Sequence, residues 1–269
     1  MKRVAASVVL AALVLSQPSA AGTICSVIAD PATGAALVSE GDCDVRATPA
    51  STFKVALAIM GFEAGVLSDA HAPNWPFRKG YPDWGGAAWR QPTDPTAWMK
   101  HSVVWYSQQI ASRLGTDTLT RQGRAFSYGN ADFTGDPGKA NGLERSWIAS
   151  SLQISPNEQV AFLARLVSRT LPVSREAMDK TAAIVEQRDL ASGWTIHGKT
   201  GSAYPRRADG TFDRARGWGW YVGWAERDGR SVVFARLDQD ESVRKGSPGL
   251  RTRDALIADW ERLAAAFTH

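Results

Sequence analysis

A serine and a lysine three residues apart, Ser51 and Lys54, stand at the start of an apolar stretch that predicts a helix over residues 48–64. On a helix, this spacing puts both side chains on one face. Ser51 would lie in the first turn, where free backbone N–H groups and the helix dipole favour developing negative charge. Burial by the apolar residues that follow would lower the pKa of Lys54, and a neutral amine beside a hydroxyl is a general base beside a nucleophile. The stretch alone leaves open a lysine whose ammonium reaches solvent.

Three further short motifs carry residue types that suit the same chemistry. They are Ser102-Val103-Val104, Tyr128-Gly129-Asn130 and Lys199-Thr200-Gly201. The first two also have an ordinary structural interpretation, namely a helix cap before core valines and a Gly-Asn turn. The third follows a strand pattern, and its glycine would let a substrate backbone approach the strand closely. A second Ser-x-x-Lys, at 242–245, lies among charged residues and predicts a solvated loop.

The composition is that of an ordinary globular protein, with 22% charged and 44% hydrophobic residues in 269. Lys2 and Arg3, an apolar run over 4–15 and small residues at 19–21 predict a secretory signal peptide over residues 1–21. A short membrane anchor is the alternative interpretation. Without the two basic residues the formal charge falls from +4 to +2, which argues against nucleic-acid binding. We therefore expect an exported protein, periplasmic where the source has two membranes, with no membrane attachment after cleavage.

The two cysteines, Cys25 and Cys43, predict one disulfide bond in an oxidising compartment. Two free buried thiols are the alternative. The pair has no further ligands near it in the sequence, so no zinc site is expected, and no other cluster of metal ligands is visible.

Strand patterns occupy both ends of the chain and helical patterns occupy the middle. The predicted strands are 23–29, 35–39, 194–203, 218–226 and 231–237, with a hairpin turn at Asp228-Gly229. The predicted helices are 48–64 with Thr48 as its cap, 102–114 ending at Gly115, 155–168 from a capping box, 174–187, and a last one from about 252. Residues 66–100 show no clear periodicity and are predicted to be irregular.

The first hairpin needs partners, because an isolated two-stranded ribbon is only marginally stable. We expect it to join the C-terminal strands in one antiparallel sheet flanked by helices. This gives a mixed α/β (α+β) fold, a single catalytic domain over 22–269 in which an all-α lobe (about 48–187) is inserted into a discontinuous α/β lobe (about 22–47 and 188–269).

Taken together and in this order, the four motifs resemble those of the class D β-lactamases, the oxacillin-hydrolysing serine enzymes. The resemblance covers nearly all of the mature chain. Trp147 stands where that family has a tryptophan near the lysine, and Trp218–Trp224 resembles its Trp- and Gly-rich strand. The implied fold is that of the penicillin-recognising serine β-lactamases.

The resemblance also implies catalytic roles. Ser51 would attack the lactam carbonyl, and Lys54, carboxylated by carbon dioxide, would act as the general base. Val104 would keep the lysine dry, Trp147 would donate its indole N–H to the carbamate, and Ser102 would pass a proton to the leaving nitrogen. No other cofactor and no metal is implied.

Substrate contacts are implied in the same way. Lys199 and Thr200 would bind the substrate carboxylate, and Lys199 is also expected to be a catalytic residue. The backbone N–H groups of Ser51 and Ser202 would form the oxyanion hole. An arginine opening the last helix would complete the carboxylate contact, for which Arg253 fits best and Arg251 is a rival. The expected substrate-binding residues are Thr200, Gly201, Ser202, Arg253, Tyr128 and Asn130.

Two other functions share part of this pattern. A penicillin-sensing domain stays acylated, and a cell-wall transpeptidase also uses Ser-x-x-Lys and Lys-Thr-Gly. A Ser-His-Asp hydrolase is not expected, because there is no Gly-x-Ser-x-Gly and the histidines at 71, 101, 197 and 269 fit no triad order; His101 and His197 are expected to be structural or surface residues. We expect small β-lactam molecules as substrates, and a monomer or a weak homodimer. The preferred β-lactams are left open by the sequence.

Overall fold

Six strands form one antiparallel sheet within residues 22–267, the part of the chain that the computed structural model describes. The predicted signal peptide, residues 1–21, lies outside the described residues. Along the sheet the order is β2-β1-β6-β5-β4-β3. The strands are β1 Gly22–Ala29, β2 Ala36–Gly41, β3 Glu186–Asp189, β4 Thr195–Ala203, β5 Trp218–Arg227 and β6 Arg230–Gln239.

The expected union of the first hairpin with the C-terminal strands is confirmed. β1 pairs with β6 along Gly22–Ala29, so the first and last strands of the chain are neighbours. The turn between β5 and β6 is also confirmed: Asp228 and Gly229 both have positive φ, 52° and 78°, as a two-residue hairpin turn requires.

Seven α-helices in the described residues cover the sheet on its two faces. They are α1 Phe53–Glu63, α2 Pro95–His101, α3 Val104–Phe126, α4 Gly142–Arg145, α5 Pro156–Val167, α6 Arg175–Ile184 and α7 Pro248–Ala264. Helix α7 buries Leu256 and Trp260 against one face, where they meet Tyr221 and Phe234. The helices from α1 to α6 form the inserted lobe on the other face, and their buried residues make one core with the inner side of the sheet.

The start of the first helix differs from the prediction. A 3-10 turn, Ala50–Thr52, precedes α1, and Thr52 rather than Thr48 is the residue before the helix. Thr48 is fully buried, and its hydroxyl donates to the carbonyl oxygen of Trp147 at 2.9 Å. The Thr48 cap prediction was therefore wrong, because the Thr48 oxygen accepts instead from a tertiary partner, the Ala149 N–H, at 3.1 Å.

The region predicted to be irregular contains helix α2, whose cap Asp94 accepts a hydrogen bond from the Ala97 N–H at 2.7 Å. The next helix begins at Val104, and Ser102 ends α2 instead of opening α3. Gly115 breaks the helical geometry with φ 76° and ψ 161°, but the helical segment resumes and continues to Phe126.

Three other boundaries also moved. Helix α6 ends at Ile184, and the short edge strand β3, which was not predicted, follows at Glu186 rather than inside the all-α lobe. The last helix begins at Pro248, about one turn before the predicted start.

The predicted disulfide between Cys25 and Cys43 is present. It joins β1 to the segment that follows β2. Among the helices at residues 22–267, none has the length and apolar character needed to cross a membrane.

Candidate active site

The nucleophile lies in the 3-10 turn that leads into α1. Ala50, the residue before Ser51, has φ 51°, a left-handed conformation that an alanine adopts only when its surroundings hold it there. Thr52 closes the turn, because its N–H and its hydroxyl both donate to the carbonyl oxygen of Pro49, at 3.1 and 2.7 Å. Ser51 is thus presented by a constrained turn.

Lys54 is buried directly beneath Ser51. Its Nζ lies 3.4 Å from Ser51 Oγ, and the residue is only 1% exposed. Helix α1 is buried from Phe53 to Phe62, so no face of it opens to solvent and the lysine cannot extend to water. Burial first, and the charge of Lys199 second, hold the pKa of Lys54 well below its ordinary value. The dry lysine expected from the sequence is therefore found.

A second lysine, Lys199, is also buried near the cavity. Lys199, on β4, is 4% exposed, and its Nζ donates to Ser102 Oγ at 2.5 Å and to the Thr200 carbonyl oxygen at 3.1 Å. Burial lowers the pKa of Lys199 to about 8. Ser102 reaches this position because it adopts a left-handed conformation, φ 55°, between α2 and α3.

A cavity of about 490 Å³ opens over the nucleophile at the junction of the two lobes. Four of the sequence-predicted residues besides Ser51 and Ser102 line it, namely Val104, Trp147, Thr200 and Ser202. The other lining residues were not predicted; they are Ala50, Trp84, Gly85, Trp89, Lys100, His101, Ile148, Ser247 and Leu250.

The two apolar residues that the sequence places around the lysine are both well anchored. Val104 is the first residue of α3 and is 6% exposed. Trp147 is 1% exposed and packs against the Phe53 ring at 5.5 Å between centroids, while its carbonyl oxygen is held by Thr48. They form the dry wall of the cavity.

Strand β4 borders the nucleophile turn at van der Waals distance. A Cβ on Gly201 would lie 2.8 Å from the Pro49 carbonyl oxygen, so only glycine permits this approach. One residue further, the Ser202 hydroxyl lies 2.6 Å from that of Ser247 and accepts a hydrogen bond from the Gly249 N–H at 2.9 Å. Ser202 therefore joins β4 to the first turn of α7.

The Tyr-Gly-Asn motif does not reach the cavity. Tyr128 is fully buried and packs against Phe53 and Phe162. The Asn130 side chain donates to the Ser151 carbonyl oxygen at 2.8 Å and accepts from the Gln153 N–H at 3.0 Å. Neither residue lines the cavity, although both were expected to bind substrate.

The structure also brings neither candidate arginine to the cavity. Arg253 pairs with its neighbour Asp254 at 2.8 Å. Arg251 forms a two-pronged pair with Asp240, at 2.6 and 2.8 Å, and its other amino group donates to the carbonyl oxygens of Lys245 and Gly246. Neither arginine is among the residues that line the cavity, so a contact of Arg253 or Arg251 with a substrate carboxylate stays a prediction.

Trp84 and Leu250 give the cavity an exposed apolar rim. They are 63% and 43% exposed. Trp84 packs on Trp89, whose indole is fixed by donation to the His101 carbonyl oxygen at 2.8 Å. His101, predicted to be a structural or surface residue, lines the cavity. Trp84 follows no periodic pattern, and residues 247–250 lie outside the predicted last helix, so neither position carries a functional signal in the sequence.

Known proteins share this arrangement of elements and motifs. The family described as penicillin binding protein transpeptidase domain matches residues 24–258. Beta-lactamase OXA-9 of Klebsiella pneumoniae is 44% identical over 236 residues, which cover 87% of this chain and 86% of that protein. The chain belongs to the class D β-lactamases.

Two further relatives of this class D β-lactamase agree. Beta-lactamase OXA-1 of Escherichia coli is 33% identical over 213 residues, 78% of this chain and 74% of that one. The crystal structure of the OXA-427 class D β-lactamase superposes with a TM-score of 0.82 at 42% identity, covering 90% of this chain and 99% of that one.

Proposed function

We propose that this class D β-lactamase hydrolyses the β-lactam ring of penicillin-type antibiotics through an acyl-serine intermediate and so confers resistance. The observation that carries the proposal is the pair formed by Ser51 and Lys54, whose Oγ and Nζ are 3.4 Å apart with the lysine 1% exposed. A desolvated, neutral amine at hydrogen-bonding distance from a hydroxyl is an activated nucleophile.

Acylation uses the two buried lysines, Lys54 and Lys199. Ser51 Oγ attacks the lactam carbonyl carbon while its proton passes to the base at Lys54. The lactam C–N bond then breaks, and the nitrogen takes a proton through Ser102, whose hydroxyl is hydrogen-bonded to Lys199. The backbone N–H groups of Ser51 and Ser202 would stabilise the oxyanion.

Carbon dioxide fits at Lys54, because it adds only to an uncharged amine and the pKa of Lys54 is strongly lowered. Lys54 would hold it beside the apolar wall of Val104 and Trp147, with the Trp147 indole N–H as the proposed donor. When bound as a carbamate, it supplies a carboxylate-like base in a water-poor site.

Deacylation needs a base to activate water, and the cavity offers no carboxylate as a second one. None of the described residues that line it is an aspartate or a glutamate. We therefore assign Lys54 to both half-reactions: water attacks the acyl carbonyl, its proton passes to the same base, and Ser51 is released.

The lining also supports an anionic small molecule as the substrate. Lys100 lines the cavity, the buried Lys199 is hydrogen-bonded to its lining residue Ser102, and none of the described lining residues is acidic. Thr200 supplies a hydroxyl for the substrate carboxylate, and the apolar rim of Trp84 and Leu250 suits an apolar acyl side chain.

The test is steady-state and single-turnover kinetics with nitrocefin and a penicillin. Wild-type protein should turn over rapidly, and added bicarbonate should raise its activity. Lys54→Ala should acylate poorly and deacylate hardly at all. Full turnover by Lys54→Ala would show that the base is elsewhere, and a stable acyl-enzyme in the wild type would instead support the sensor or transpeptidase function.

We further propose that the chain is exported to the periplasm, with cleavage before Gly22. The Cys25–Cys43 bond supports an oxidising compartment. N-terminal sequencing of protein from a periplasmic extract should begin at Gly22, and sedimentation should give a monomer or a weak homodimer.

A further inference from the structure

The residues of the Tyr-Gly-Asn motif do not line the cavity, and their contacts point to a different role. Gly129 has φ 56°, and a Cβ there would lie 2.0 Å from the Gln153 carbonyl oxygen. The Asn130 N–H donates to that same carbonyl oxygen at 3.0 Å, in addition to the two side-chain bonds already described. The motif therefore clamps the segment 151–153.

This clamped segment fixes the chain that leads to the nucleophile. Ile154 and Ala47 exchange two backbone hydrogen bonds, of 2.9 and 3.0 Å. Ser155 then opens α5 with a capping box, in which the Ser155 N–H donates to Glu158 at 2.8 Å. Glu158 also pairs with Arg46. Arg46 and Ala47 are therefore both bound by residues at or just before the start of α5.

From α5 one side chain extends to the nucleophile turn. Gln159 is 1% exposed, and its Nε2 donates to Thr52 Oγ1 at 2.9 Å. Because the Thr52 oxygen accepts this bond, its hydroxyl proton points to another partner, the Pro49 carbonyl oxygen. The Tyr128 hydroxyl is buried beside Gln159 and Thr52.

We infer that Gln159 is a positioning residue for Ser51: its amide orients the Thr52 hydroxyl, which closes the turn that presents the nucleophile, and the Tyr-Gly-Asn motif anchors the segment from which Gln159 extends. Ala50 in that turn has a strained left-handed conformation, so the turn needs such external support. Gln159 does not line the cavity, and its hydrogen bond to Thr52 is the contact through which it acts on Ser51.

The inference rests on the proposed acylation of Ser51, and the test measures acylation directly. Gln159→Met keeps the side-chain volume and removes the donor, and Thr52→Val removes the hydroxyl. Each should lower the rate constant of Ser51 acylation by about 10- to 100-fold, because a displaced nucleophile loses its attack geometry. The dissociation constant of the non-covalent complex, from the substrate dependence of that rate, should change less than about twofold.

Two variants separate positioning from mere stability. Thr52→Ser retains the hydroxyl and should recover acylation to within about threefold of wild type, and the Gln159→Met/Thr52→Val double variant should be no slower than Thr52→Val alone. Gln187→Met, the same substitution on the exposed strand β3, is the matched control and should acylate like the wild type.

The outcomes distinguish failure of this inference from failure of the proposed function on which it rests. Wild-type protein that neither hydrolyses nitrocefin nor shows an acyl adduct by mass spectrometry would overturn the proposed function. A wild type that acylates, together with Gln159→Met and Thr52→Val variants that acylate within twofold of it, would overturn the positioning role. Acylation is a first-order step in the bound complex, so a partly unfolded preparation of either variant still reports the rate constant of its folded fraction.

Discussion

Burial of the ammonium groups of Lys54 and Lys199 destabilises the folded state, at the site where both lysines are proposed to act in catalysis. Each ammonium would lose its hydration on burial, and for both groups burial is the first cause of the lowered pKa. Lys199 retains two hydrogen bonds, to Ser102 and to the Thr200 carbonyl oxygen, which offset only part of this loss. The site is therefore a place where function costs stability.

The lowered pKa of Lys199 makes this loss of stability depend on pH. The group titrates at about 8 in the folded chain against an ordinary 10.5. Between these values the unfolded chain binds a proton that the folded chain lacks, so stability rises with pH across this window. Lys199→Met should raise the free energy of unfolding by up to about 3 kcal/mol at pH 7. The gain should shrink as the pH rises from 8 to above 10, as urea unfolding at several pH values would measure.

The control for this prediction is Lys139→Met at an exposed lysine, which should change the free energy of unfolding little at any pH in the series. A Lys199→Met gain that is equal at pH 7 and pH 10.5 would show that apolar packing, and not removal of a buried charge, stabilises the variant. Activity should be lost in Lys199→Met whatever the stability does.

At this scale the sequence predicts the chemistry better than the orientation. The Ser51–Lys54 spacing is a property of one turn, so it could be predicted from the local pattern. Whether Lys54 is dry depends on helices that pack around α1 from elsewhere in the chain. Tyr128 and Arg253 show the same limit, because a motif gives a residue type and an order but not the direction of a side chain.

Among the elements, the junction of β4 and β5 with α7 decides the shape of the cavity wall. Two glycines make the close contact: a Cβ on Gly249 would lie 2.4 Å from the Gly201 carbonyl oxygen, and one on Gly219 would lie 2.3 Å from Thr252 Oγ1. Ser247 and Leu250, both in the cavity lining, come from the same end of α7. Any displacement of this helix end therefore displaces the wall.

We accordingly expect Gly249→Ala to damage activity more than stability. Gly249 has a helical backbone, so alanine is allowed locally, but its Cβ must push α7 away from Gly201. Such overpacking costs about 2 kcal/mol. The value of kcat/KM for a penicillin should fall by at least about tenfold, since Ser202 and Ser247 both move.

Ala258→Gly in the exposed middle of α7 is the matched control. It costs about 1 kcal/mol through helix propensity alone and should leave kcat/KM unchanged. Equal loss of kcat/KM in the two variants would mean that the general stability of α7, and not the contact with Gly201, governs activity.

Helix starts are predictable where a cap residue is used as the signal. Ser155 and Ser174 predict correct starts, whereas the starts at Asp94-Pro95 and Ser247-Pro248 were not predicted, although they carry the same cap and proline signature as Ser155-Pro156. Periodicity had dominated there, and α2 is too short to show any. Strand β3, Glu186–Asp189, is exposed throughout and offers no alternation to detect.

On the scale of the whole molecule, the two ends of the chain must meet before the site exists. The unpaired hairpin and the late strands predicted this meeting, because neither could be stable alone. The site residues come from the 3-10 turn, the α2–α3 junction, β4 and the start of α7, which lie on both lobes. The cavity is therefore a product of lobe assembly, which no local pattern describes.

The disulfide contributes to that assembly, because it ties β1 to the segment that enters the nucleophile turn. It closes a span of 18 residues, and both cysteines are nearly buried. A loop of this length is worth about 3 kcal/mol, or a midpoint lowered by roughly 6–12 °C in a domain of this size. Cys25→Ser/Cys43→Ser should show that loss by calorimetry.

Activity at 25 °C should survive in the same variant, because the segment after Cys43 keeps other attachments. The Asn157 N–H donates to the Cys43 carbonyl oxygen at 3.1 Å, and Ala47 remains paired with Ile154. A reducing agent should lower the wild-type midpoint toward that of the variant and leave the variant itself unchanged. If the variant loses acylation while still folded, the bond holds the nucleophile turn in place directly, and the contacts from α5 are insufficient without it.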